Sequence, residues 1–266
     1  LSLGALTGNV ALRFKGNTGD GDFYVDNLHV AHGVALADAD NNTTTITGLV
    51  GQTLEVTLGR TIYCDGDFNT ICLPFSLPTL AGTPLAGGEL WSFRYGEVVG
   101  GELQIRIAPA TSIEAGVPYL ITFANGADIV NPTFTDVTIT KSVGDSVGQT
   151  DDVQFIGILK PQAFVEEDKN NLFVASNGML AWSNVGTGTA LSNLRSFRGY
   201  FHTETAVSGT PVANNMPARI VKEEQTATGC ENIQDNTVSI KIIENNQVVI
   251  IRNGVKYTVQ GQVISK

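Results

Sequence analysis

The sequence predicts an all-β fold: an antiparallel β-sandwich of jelly-roll-like form, with a small C-terminal β meander. Three observations carry that expectation. Apolar residues recur with period two along most of the chain, as in LEVTL at 54–58 and LQIRI at 103–107, which is the pattern of a sheet with one buried and one wet face. Twenty-nine glycines in 266 residues, with Asn-Gly and Asp-Gly pairs between apolar runs, mark tight turns. No long segment sustains a 3.6-residue apolar period, so helices are expected to be short and few. Hydrophobic residues make up 42% of the chain, enough to bury a core.

Taken in order, VALRFKG and DFYVDNLHV read as two strands near the N-terminus. Leu54, Val56 and Leu58 form the apolar face of the next clear strand. RTIYCDGDFNTICLPF, residues 60–75, reads as a hairpin, with Thr61 to Cys64 as one strand, Asp65-Gly66 as the turn and Phe68 to Phe75 as the return. In such a hairpin Cys64 lies beside the turn and Cys72 far along the partner strand, beyond the roughly 7 Å Cα separation that a disulfide spans. Cys72, between Ile71 and Leu73, is therefore expected to be a buried free thiol. Trp91, Phe93 and Tyr95 share one strand face, with Ser92 and Arg94 on the other. Asn125-Gly126 and Asn177-Gly178 are further hairpin dipeptides, and Asn253-Gly254 joins VVIIR to VKYTV in a hairpin of the final meander. These runs divide the chain into residues 1–32, a main β module at 33–228, and a C-terminal hairpin or meander at 229–266.

A net charge of −10 repels phosphate backbones and anionic lipid, so neither nucleic acid nor a membrane surface is an expected partner. No run approaches the roughly 18 apolar residues of a membrane span. The opening LSLGALTG has neither the charged n-region nor the cleavage pattern of a signal peptide, so residue 1 is expected not to be the native translation start.

Four stretches, RTIYCDGDFNTICLPF, ATSIEAGVPYLITF, RSFRGYFH and MPARIV, closely resemble in that order a module of secreted proteins from gut and oral Bacteroidetes. The resemblance covers about residues 45–228. It implies a non-catalytic part of an exported or surface protein, and no catalytic residue comes with it. ALTGNVALRFKGNTGDGDFYVDNLHV resembles the last two strands of a lectin-like jelly roll. That resemblance implies a structural calcium with Asp26 on the final strand, and Asp20 and Asp22 beside it. IIRNGVKYTVQGQVISK is distantly similar to type IX sorting domains.

Other motifs read as ordinary structure. Asp65, Asp67 and Asn69 open like a calcium loop, but Thr70 and Ser76 stand where an EF-hand needs Gly and Glu. Gly144 to Gly148 matches G-x-S-x-G around Ser146, yet a turn and a strand follow where a nucleophile elbow needs a helix. His29 and His32 are three apart on a strand and face opposite sides. Asp151-Asp152 and Glu166-Glu167-Asp168 are adjacent carboxylates, not a pair facing a bond across the roughly 5–9 Å of a glycosidase site. No catalytic residue and no enzyme activity are expected. The aromatics Trp182, Trp91 and Tyr95 are the candidate sugar-stacking residues, since ring faces match the apolar faces of pyranoses. The functional expectation is a secreted or outer-membrane, cell-surface module for adhesion or glycan binding, with glycans or host and bacterial surface proteins as partners. The alternative is a structural subunit of a fibre or layer that self-assembles by strand completion.

Overall fold

Alternating apolar residues set two five-stranded sheets face to face. The computed structural model describes residues 33–150, 152–164, 170–175, 178–183, 193–213, 216–223, 239–244, 247–252, 255–258 and 262–265. The first sheet runs Ala218–Lys222, Glu102–Ala110, Glu89–Val99, Pro118–Thr122, Asn69–Cys72. It is antiparallel except for Ala218–Lys222, which lies parallel to Glu102–Ala110. The second sheet runs Ser146–Thr150, Val153–Ile158, Arg198–Thr203, Asn171–Val174, Leu180–Trp182 and is antiparallel throughout. Between them Leu103, Ile105, Ile107 and Leu120 of the first sheet meet Val153, Phe155, Leu172 and Phe201 of the second in one core. Phe155 stacks on Phe201 with ring centroids 4.3 Å apart. The fold is thus all-β and antiparallel in the main, as the period-two pattern predicts.

A third layer covers the other face of the first sheet. Gly33–Ala37 lies parallel to Thr53–Gly59, which pairs antiparallel with Thr133–Thr138. Val56, Leu58, Phe134 and Val137 from this small sheet pack with Ile71, Tyr119, Ile121 and Leu90. Asn69–Cys72 and Pro118–Thr122 are consequently buried on both faces. That accounts for their continuous runs, NTIC and PYLIT, where a half-exposed strand would alternate. One short helix, Thr43–Gly48, seats Ile46 in the same core.

Two expectations are corrected here. Thr61–Ile62 pairs with Ile129–Val130, while Asn69–Cys72 joins the first sheet, so residues 60–75 bridge two sheets and are not a hairpin. The Asp65-Gly66 turn forms, with Gly66 at φ 90°, but its flanking strands part company. Likewise Trp91, Phe93 and Tyr95 do not share a face. The register steps from Phe93 opposite Ile107 to Tyr95 opposite Arg106, which leaves Arg94 as the extra residue of a β-bulge. Beyond it Gly96 and Val98 face the inter-sheet core, and Tyr95 is turned away from it.

The chain divides into two compact units, Leu1–Glu223 and Glu224–Lys266. The second holds an antiparallel meander of Ser239–Glu244, Gln247–Arg252, Val255–Tyr257 and Val263–Ser265. Among the described residues no helix is long and apolar enough to cross a membrane. The segment 1–32 lies outside the described residues.

Candidate functional site

The loop Tyr63 to Phe68 is built by its own side chains. The Asn69 amide accepts from the Tyr63 N–H at 3.0 Å and donates to the Tyr63 carbonyl at 2.9 Å. The Asp65 carboxylate accepts the Asp67 N–H at 3.0 Å, an Asx turn that needs Gly66 next to it. Asn69 thus braces the loop from both its amide oxygen and its amide nitrogen. Opposite stands the hairpin of Asn171–Val174 and Leu180–Trp182, where Leu172 pairs with Trp182. Its turn residue Gly178, at φ 68°, packs so tightly on Asp67 that a Cβ there would lie 2.9 Å from the carboxylate.

Between loop and hairpin is a cleft of about 290 Å³, at the small end of the roughly 300–1,000 Å³ usual for small-molecule sites. Trp182, Tyr63, Phe68 and Phe173 give it aromatic walls, Asp65 and Asp67 line it too, and Arg60 and Arg198 complete it. Tyr63 is 55% exposed. Trp182 is half-buried and held by its indole N–H, which donates to the Met216 carbonyl at 2.7 Å. Phe173 is fixed from behind by Phe164, with centroids 4.9 Å apart.

The arginines sit deeper. Arg60 is buried, and its Nη1 donates to the carbonyls of Thr70, at 3.2 Å, and Phe197. Its Nε, also buried, has no hydrogen-bond partner among the described residues. Burial first, and the neighbouring Arg198 second, push Arg60 down to about 9, with Asp38 pulling the other way. Asp38 is itself buried and accepts from Arg198 at 2.9 Å and from Arg195 at 3.4 Å.

Of the residues singled out in the sequence, Trp182 lines this cleft. Trp91 and Tyr95 do not. Trp91 packs against the inter-sheet core, with Lys222 Nζ 4.4 Å from its ring centroid and 5.4 Å from that of Phe68. Asp20, Asp22 and Asp26, with His29 and His32, lie outside the described residues, as do Asp151 and Glu166 to Asp168. Ser146 begins an edge strand, and its hydroxyl bonds Gln154 at 2.9 Å. Cys64 and Cys72 are free and buried, and the Cys72 thiol donates to the Gly116 carbonyl at 3.1 Å.

Sequence reading missed Arg60, Arg198 and Tyr63 as site residues. The signal was present in another form, because the first and third quoted stretches line the cleft and the second and fourth bond to residues of its surrounding elements. The Gly199 N–H of RSFRGYFH donates to the Thr70 hydroxyl of the first stretch, 129 residues away, at 3.1 Å. Gly116 of the second stretch receives Cys72, and Met216 of the fourth receives Trp182.

No known family model matches this chain, and comparison with curated proteins and with solved structures finds no significant match.

Proposed function

We propose that the protein is a non-catalytic, secreted or cell-surface module that binds glycans in the cleft between the Tyr63–Phe68 loop and the Trp182 hairpin. The observation that carries this reading is the pairing of anchored aromatics with carboxylates. Trp182 is locked by its indole N–H, Tyr63 stands half-exposed, and Asp65 and Asp67 line the same cleft. Aromatic faces take the C–H side of a pyranose, and carboxylates accept charge-assisted hydrogen bonds from its hydroxyls. The likeness of the four stretches to modules of exported Bacteroidetes proteins supports the same placement at a cell surface.

The test is saturable binding to a panel of host and dietary glycans. One glycan class should bind, and Tyr63→Ala or Trp182→Ala should weaken it about tenfold or more. Tyr63 is exposed, so its replacement leaves the fold intact and keeps the test clean. Absence of binding across the panel defeats the proposal.

A second reading, assembly by strand completion, is favoured by the strand Gly33–Ala37. Its sequence GVALA carries no charge to guard the outer edge, and among the described residues no further strand pairs there. Size-exclusion chromatography separates the two readings: a monomer that persists on concentration counts against assembly.

A further inference from the structure

Two arginines, Arg60 and Arg198, line the cleft, and of the two only Arg198 forms an ion pair with a carboxylate among the described residues. The buried carboxylate of Asp38 is ion-paired with Arg198 and with the largely exposed Arg195, and acts on Arg60 only through space. Arg198 and Arg195 both spend a donor on it. Arg60 has only backbone carbonyls, and among the described residues no carboxylate pairs with it. The two acids that line the cleft do not close the account, since neither Asp65 nor Asp67 forms an ion pair with Arg60 or Arg198. A buried cation without a counter-charge is costly, and an anion brought to it recovers part of that cost.

Resting on the glycan reading of the cleft, we infer that its ligand is a sugar bearing a carboxylate, with the ring against Trp182 and Tyr63 and the carboxylate toward Arg60 and Arg198. Guanidinium planes match carboxylates in geometry, and the burial of Arg60 strengthens the pairing. The hydroxyls of the same ring have Asp65 and Asp67 as acceptors. Hexuronic acids and sialic acids share this chemistry.

Matched pairs of ligands test it without disturbing the buried arginines. Oligogalacturonate is compared with its methyl ester, and sialyllactose with lactose, by calorimetry on the full chain, on Trp182→Ala and on Tyr63→Ala. The expected result is binding of at least one acidic form about tenfold or more tighter than its neutral partner, weakened by salt and by both substitutions. Equal binding of acidic and neutral forms, lost in Trp182→Ala, overturns the carboxylate inference and leaves the glycan reading standing. Acidic binding that ignores both substitutions places the ligand elsewhere and overturns the inference. If no saccharide of either kind binds, both readings fall together.

Discussion

Cys72 is held where a thiolate is disfavoured. Burial, with Asp145 adding to it, pushes the thiol well above its ordinary value of 9.0. The folded protein therefore keeps a proton that the unfolded chain releases, and this contribution is whole below pH 9 and lost as pH rises beyond it. Unfolding free energy in the wild type should fall about 1.4 kcal/mol per pH unit more steeply above pH 9 than in Cys72→Ala. Urea titrations at several alkaline pH values measure this, and parallel slopes would refute it. Asp38 carries a larger stake, because Asp38→Asn leaves the largely buried Arg198 without the carboxylate it pairs with. That substitution should cost about 3–5 kcal/mol in the same experiment, whereas Arg195→Ala, acting on a 63% exposed side chain, should cost under about 1 kcal/mol. Cys72 was legible in the sequence, because two apolar neighbours on a strand announce burial. Arg60 was not, since its setting depends on the Phe197 carbonyl, 137 residues away in sequence. Trp182 was legible as an aromatic beside a glycine-rich turn, but the half-exposed Tyr63 lacked any local mark.

Among the elements, the two large sheets approach closely where a side chain is missing. A Cβ on Gly96 would lie 2.5 Å from Val153 Cγ2, so Gly96→Ala should destabilise by about 1–3 kcal/mol. Val153→Ala in that background should recover part of the loss, and a double-mutant cycle reads the coupling. Strict additivity would mean that the sheets do not meet there. The existence of strands was legible because alternation is a local property. Their partners were less so. Asp65-Gly66 supplies the positive φ of a turn whatever its flanks do next, and here one flank leaves for a different sheet because Ile71 and Cys72 are buried from both sides. By contrast the Gly100-Gly101 pair, at φ 61° and 82°, does close a two-residue hairpin between Val99 and Glu102. The bulge at Arg94 had no signal in the alternation, which runs unbroken through WSFRY.

At the scale of the molecule, the first compact unit closes at Glu223. A chain ending there should unfold cooperatively, with a midpoint within a few degrees of the full protein, as followed by circular dichroism. Loss of the transition would show that the final meander is needed for the fold. The three-layer build was not legible, because the continuous runs NTIC and PYLIT can equally belong to a buried two-layer sheet or to a short helix. The parallel outer strand has a temporal meaning as well. Ala218 lies opposite Leu103, and Arg198 meets an Asp38 that precedes it by 160 residues. At a ribosomal pace of about 5–20 residues per second, the Glu102–Ala110 edge waits on the order of ten seconds for its neighbour to be made. Pairings this distant also form slowly once available. The other four strands of that sheet are complete by Thr122, so the nascent sheet carries an open Glu102–Ala110 edge, a template for wrong pairings, until translation has passed Lys222.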